Sequence, residues 1–284
     1  MEACSCRGIL HGISLHATSR TPFCISWLSN TLMSCSQAQM GLEHRMQILP
    51  GLYLINGSPY GRHQNGYLLQ RDGATLLIDS GDLHDAETLP EVERNAARWG
   101  FQLEQASHLL ITHAHFDHAS HAAALQRRGI KVVASPETAE AMAAGDERCI
   151  GYAVNRTFDP CQADVLLKDA EELEVGCLPV GPWQVRCLAA PGHTDGLVVF
   201  EVSLNGERLW FTSDLFEAKH AHSGIDLPWT GSLDFDRSKY ITSLARLLKL
   251  PPCDHVLPGH GPAAIGSGRR LLEMAYTEAL LKWR

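Results

Sequence analysis

The sequence predicts an α/β protein in which two sheets are covered by helices, and three observations predict it. Short apolar, β-prone runs open a meander after Met46, strand-like and helix-like runs then alternate to residue 144, and after a less regular middle the pattern recurs to the C-terminus. Composition agrees, since 45% apolar and 20% charged residues over 284 positions suffice for a large core.

Residues 1–45 stand apart. They are rich in Ser, Cys and Thr, carry only Glu2 and Glu43 as acids, and hold no amphipathic period. A secretory signal would need a basic start and a continuous apolar core, and a transit peptide is a weak alternative. The segment is therefore expected to be a disordered extension or, by preference, residues upstream of a true start at Met40 or Met46, with the folded domain spanning 46–284.

In order, 47–55, 65–70 and 74–79 read as strands, the last two joined by an Asp72-Gly73 turn. Ser80-Gly81 breaks the third, and 86–99 is an amphipathic helix stopped by Gly100. Strand 107–112, helix 119–128, strand 131–134 and helix 136–144 follow, whereas 145–161 lacks a period and reads as a loop. Beyond it, 165–167, 172–175, 183–189 and 197–202 are short strands, and Asn205-Gly206 turns the last into 208–212. The stretch 217–236 is polar and aromatic without a period; 237–250 is a helix, 254–257 a strand and 268–283 a closing helix.

Charge and cysteine usage exclude some functions. A net charge of -8, with no Lys/Arg run beyond pairs such as Arg127-Arg128, argues against nucleic acid as a partner. No apolar stretch approaches the roughly 20 residues of a membrane span. Of nine cysteines, Cys4, Cys6, Cys24 and Cys35 lie near the start, while Cys149, Cys161, Cys177, Cys187 and Cys253 show no CxxC pairing. The latter read as small buried hydrophobes of a reducing compartment, so a cytoplasmic location is expected.

Imidazoles and carboxylates are then the chemistry-bearing groups. His113, His115, Asp117 and His118 fall within six consecutive positions on a strand-to-helix turn, a concentration that a packed core would leave with unpaired polar atoms. Three further sites, each after an expected strand, match it in type: His193 in Gly192-His193-Thr194, Asp214 in Ser213-Asp214, and His260 in Gly259-His260-Gly261. Strand ends at one sheet edge converge in space, so these residues can line one pocket. Mixed imidazole and carboxylate donors suit zinc, iron or manganese. Seven such side chains exceed the needs of one tetrahedral ion and suit two ions about 3.5–4 Å apart sharing a carboxylate. His11, His16, His44, His63, His84, His108, His121 and His255, each isolated, read as ordinary surface or core histidines.

This ordered set resembles the metallo-β-lactamase-fold hydrolases, whose signature is matched by His113-x-His115-x-Asp117-His118, with Asp79, His193, Asp214 and His260 in sequence over residues ~46–265. The resemblance implies an αββα four-layer sandwich with metals at the edge of the paired sheets. It implies that His113, His115 and His193 hold a first metal, that Asp117, His118 and His260 hold a second, and that Asp214 bridges them. Asp79 would orient the histidine-bearing loop, against the plainer reading of a turn residue. The expected cofactors are two divalent ions, zinc first with iron or manganese as alternatives. The expected activity is hydrolysis of a small carbonyl ester, lactone or thioester by a metal-bridging hydroxide, with Asp117 also a candidate for moving the proton. A bridging Asp214 favours the glyoxalase II-like and lactonase-like members over true β-lactamases. The alternative is a mononuclear iron sulfur dioxygenase of the same fold; a non-catalytic or nucleic-acid-processing role is disfavoured by the acidic balance. A small molecule is the expected partner, and a homodimer is left open. Substrate choice should lie in 145–161 and 217–236, with His220, His222, Trp229 and Phe235 expected as pocket wall.

Overall fold

The computed structural model describes residues 47–57, 62–82, 88–168 and 172–283, and the expectation for 1–45 lies outside them. Seven strands lie side by side in chain order: β1 (Gln47–Leu49), β2 (Leu52–Asn56), β3 (Gly66–Arg71), β4 (Ala74–Ile78), β5 (Ala106–Leu110), β6 (Lys131–Ala134) and β7 (Val165–Leu166). The first four form the antiparallel meander. From β4 onward the pairing is parallel, because crossovers intervene, a parallel connection needing a dozen or more residues. These crossovers carry α1 (Thr88–Arg98), the one-turn α2 (Phe116–Ala119), α3 (Ala122–Gln126) and α4 (Pro136–Ala144).

A second sheet contains β8 (Glu174–Val180), β9 (Trp183–Ala189), β10 (Val198–Leu204) and β11 (Glu207–Ser213), all antiparallel neighbours. A ribbon of β12 (Glu217–Ala218) and β13 (Ile225–Asp226) and helix α5 (Arg237–Leu247) then lead to β14 (His255–Pro258), parallel to β11 at the sheet edge, and α6 (Gly268–Trp283) closes the chain.

Side-chain alternation explains how four layers stack. Along β3, Tyr67 and Leu69 point between the sheets while Leu68 points to the outer layer of helices; in β11, Leu209 and Phe211 point inward and Trp210 outward. Leu77, Leu109 and Val132 pack under α1, α3 and α4 with Val92, Leu125 and Met142; Val199, Trp210 and Val256 pack under α5 and α6 with Leu244, Leu271 and Ala275. Strands covered on both faces must be apolar at successive positions, which is why the expected strands lacked a polar face. The architecture is αββα.

Local departures from expectation have local causes. The expected strand 47–55 is broken into β1 and β2 at Pro50-Gly51, where Gly51 has φ +87 and a Cβ would lie 2.7 Å from the Gln70 carbonyl oxygen. Strand β8 runs on to Val180 through Pro179, which an edge strand tolerates because a missing N–H breaks no ladder there. The helix expected at 119–128 starts three residues earlier, at Phe116, and breaks after α2, so Asp117 and His118 ride on a helical turn rather than a loop. Cys149, Cys161, Cys187 and Cys253 are buried with thiols pushed up by burial, whereas Cys177 departs from the expected burial, lying exposed on β8. Among the described residues no helix is long and apolar enough to cross a membrane.

Candidate metal centre

The two sheets are stitched together at the edge where the histidine segments lie. Thr112 O accepts from Val198 N at 2.9 Å, Gly259 O from Asn65 N at 2.6 Å, and Pro258 O from the Tyr67 hydroxyl at 2.6 Å. Asp79 at the end of β4 has φ +51 and Ser213 at the end of β11 has φ +49. A left-handed non-glycine residue costs of order 1–3 kcal/mol and persists where its surroundings hold it. Asp79 is held by its own side chain: Oδ1 accepts from Thr112 N at 2.9 Å, and Oδ2 from Thr112 Oγ1 at 2.7 Å and His118 Nδ1 at 2.9 Å. It is thus both the turn residue and the group that orients the loop.

The seven side chains singled out in the sequence come together in two overlapping groups. His113, His115, His193 and Asp214 each offer one ligand atom within 4.8 Å of the others, and Asp117, His118, Asp214 and His260 do the same; all seven are buried. Asp214 belongs to both. His118 Nε2 lies 3.1 Å from Asp214 Oδ1, while Asp214 Oδ2 is 3.5 Å from His193 Nε2 and 3.4 Å from His260 Nε2. Asp117 Oδ2 lies 3.2 Å from His260 Nε2. His63, His108, His121 and His255, which stand apart from the cluster in the sequence, join neither group.

The ring nitrogens facing away from the centre are partnered. His113 Nδ1 meets the hydroxyls of Thr112 and Ser213, each at 3.2 Å, and His260 Nδ1 donates to the His63 carbonyl at 3.1 Å. Among the atoms facing inward, His118 Nε2 and Asp214 Oδ1 face each other at 3.1 Å, and His113 Nε2 and Asp117 Oδ1 are buried without a hydrogen bond. A buried polar atom left so costs about 1–3 kcal/mol. Imidazole nitrogens and carboxylate oxygens converging in this way are the donor set that divalent transition metals take, so the residues fit the metals expected from the sequence.

Electrostatics separate the groups. Burial, reinforced by neighbouring imidazoles, pushes His113 well below the ordinary histidine range and His115 down to about 3, and burial lowers His193 too. His118 and His260 are raised well above the ordinary value, because Asp214 and Asp117 outweigh the burial that opposes the charge. Burial pushes Asp117 up, but His118 and His260 bring it down to about 2, and Asp214 falls well below the ordinary range for the same reason. The raised histidines stabilise the metal-free fold below the pKa of the unfolded chain, and this contribution is lost as pH rises through their folded values. A cation entering the second group must displace those protons. Its affinity there should therefore fall more steeply between pH 8 and pH 6 than at the first group. Chelator competition at the two pH values checks this, and equal slopes for both groups would refute it.

A cavity of about 320 Å³ opens onto the centre, lined by His63, Ile150, Ala153, Glu217 and Trp229 besides His115, Asp117, Asp214 and His260. Both irregular stretches reach it, and the Tyr152 hydroxyl joins them by donating to Gly231 O at 3.3 Å. Of the expected wall residues only Trp229 lines the cavity. Phe235 packs on Trp283 of α6, His222 is bonded to Ser267 and Ala263, and His220 is exposed. Phe158 is buried against Phe116 in the outer core. Sequence reasoning missed Glu217, whose carboxyl is raised by burial, and Ser232, whose Oγ lies 3.1 Å from His115 Nε2. Ser213 had a signal in its place beside Asp214; Ser232 had none.

Comparison with known proteins agrees with this geometry. The family model described as the metallo-beta-lactamase superfamily matches residues 59–260. A Cronobacter sakazakii metallo-beta-lactamase with a HARLDQ motif is similar with a TM-score of 0.58 and 25% identity, covering 75% of this chain and 79% of that one. The Rm3 metallo-beta-lactamase gives 0.57 and 25%, covering 74% and 75%. BJP-1, a subclass B3 metallo-beta-lactamase of Bradyrhizobium japonicum, gives 0.61 and 17%, covering 82% and 90%, a likeness of fold. With its αββα layers and two His/Asp groups at the sheet edge, the chain belongs to the metallo-beta-lactamase superfamily and has the centre of a metal-dependent hydrolase.

Proposed function

We propose that the protein is a binuclear hydrolase of a small carbonyl ester, lactone or thioester. The observation that carries this reading is the position of Asp214, one carboxylate within reach of both groups. His113, His115 and His193 would hold one ion, Asp117, His118 and His260 the other, with Asp214 shared. Zinc suits these donors best, with iron or manganese as alternatives. When bound, such ions supply Lewis acidity and an activated water near neutral pH. Asp117, held at about 2, is ionised throughout the neutral range and serves better as a ligand than as a proton store.

The lining supports the substrate class. Ile150, Ala153 and Trp229 offer an apolar wall for an acyl group or lactone ring, and no Lys or Arg is among the described lining residues. Lys219 is paired with Asp226 at 2.9 Å. An anionic carrier such as a glutathione conjugate would therefore lack a cationic side chain here. A small-molecule partner, no nucleic acid and a cytoplasmic site of action belong to the same reading.

The test is metal content by mass spectrometry on protein purified without added metal, followed by a panel of lactones, thioesters, esters and β-lactams. Two equivalents of zinc and turnover of the first three classes are expected. One equivalent of iron with oxygen uptake on a persulfide would replace this reading by the dioxygenase. Turnover of β-lactams alone would overturn the substrate class.

A further inference from the structure

We infer that the loop 229–234 positions His115 and His193, two ligands of the first metal centre, and no ligand of the second, while also forming part of the wall of the substrate cavity. The inference rests on the two-centre reading above. Its basis is the outward-facing nitrogens of His115 and His193. His193 Nδ1 is 3.1 Å from the Trp229 carbonyl oxygen, which can only accept, so the ring carries its proton on Nδ1 and presents the Nε2 lone pair inward. Ser232 Oγ donates to Asp234 Oδ1 at 2.5 Å, so its oxygen is left to accept from His115 Nε2 at 3.1 Å, and His115 presents the Nδ1 lone pair inward. Those two inward atoms, His115 Nδ1 and His193 Nε2, face each other at 3.1 Å. Asp234 is itself fixed, with Oδ2 accepting from Asp195 N at 2.8 Å.

The second centre takes its outer partners elsewhere, from Asp79 for His118 and from the His63 carbonyl for His260. The loop therefore sets tautomer and direction for one centre only, the kind of support whose loss costs a metal site about 10–100-fold in affinity. The same six residues carry the Trp229 indole, 6.1 Å from the His115 ring centre to centre, and Gly231 O, which receives the Tyr152 hydroxyl. Pocket wall and first-centre ligands thus share one short piece of backbone. Trp229 contributes to the two by different atoms, its ring to the cavity and its carbonyl to His193.

Stepwise metal affinities by competition with a chromophoric chelator, and the visible spectrum of the cobalt-loaded protein, test this. Ser232→Ala should weaken the first centre by about 10–100-fold and alter its cobalt bands, with the second unchanged. Ser232→Thr, which keeps the hydroxyl, should restore it. Trp229→Leu, which keeps the carbonyl, should raise KM with both metal affinities intact. Should Ser232→Ala fail to fold, Asp234→Asn carries the test, with selective weakening of the first centre again expected. Equal loss at both centres, or parental affinity at both, overturns the inference. A parent protein that takes up a single equivalent overturns the two-metal reading instead, and the inference then stands or falls on whether Ser232→Ala weakens that equivalent.

Discussion

Asp214→Asn is expected to lower bound metal from two equivalents to one and to reduce kcat/KM by roughly 10³-fold, since a cation pair supplies several kcal/mol of transition-state stabilisation and about 1.4 kcal/mol is tenfold. The amide has the shape of the carboxylate, so the packing around a side chain this buried is retained. What goes is the charge, and with it one of the two carboxylate oxygens, so the remaining amide oxygen can serve one group but not both. Asp214 is the residue that offers an atom to both His113, His115 and His193 on one side and Asp117, His118 and His260 on the other. In the metal-free protein it is also a leading cause of the raised His118 and His260, so both should titrate at lower pH in the variant. That second change separates loss of the shared charge from general damage. Elemental analysis, steady-state kinetics on whichever ester or lactone the parent turns over, and histidine titration by NMR check the three parts. An Asn variant with two equivalents and a rate within about tenfold of the parent would remove Asp214 from the centre.

How much of this was legible in the sequence depended on distance along the chain. Residues 113–118 announced themselves because four ligand-type side chains crowd one turn, and His193, Asp214 and His260 because each follows a strand by a few residues. The layers were legible because strands buried on both faces leave apolar runs, and helices leave a longer period. What makes the site specific was hidden. Which nitrogen each imidazole turns inward is decided by Ser213, Ser232, the Trp229 carbonyl and the His63 carbonyl, of which only Ser213, beside Asp214, was marked by a local pattern. The ribbon of β12 and β13 has two-residue strands, too short to show any period. Trp229 and Phe235 were indistinguishable as wall residues because both are aromatic and lie in one aperiodic stretch; only the docking of α6 puts Phe235 on Trp283 and leaves Trp229 at the cavity. Asp79 shows the reverse case, where two competing readings were both right because one left-handed turn residue can also reach His118.

Gly259→Ala should disable the second centre and destabilise the protein by about 1–3 kcal/mol, the usual cost of forcing a methyl into a packed site. Gly259 follows β14, and a Cβ built on it would lie 2.4 Å from Asp214 Oδ1 and 2.5 Å from His118 Cε1. Such contacts can be relieved by moving the glycine or by moving the ligands. The backbone resists the first, because Gly259 N donates to Ser213 O at 2.9 Å and Gly259 O accepts from Asn65 N at 2.6 Å, one bond to each sheet. His118 is pinned from behind by Asp79, so the methyl must push Asp214 or tear the imidazole from its hydrogen bond. The first centre keeps His113, His115 and His193, none of which supplies any of the three atoms nearest the added methyl. The expected result is one retained metal equivalent, a kcat/KM as low as that of Asp214→Asn, and a denaturation midpoint lowered without loss of cooperativity. The two substitutions should also be non-additive, because both act through the same carboxylate. A Gly259→Ala protein with two tightly held equivalents would mean that the strand end at 258–260 yields more readily than its two hydrogen bonds imply.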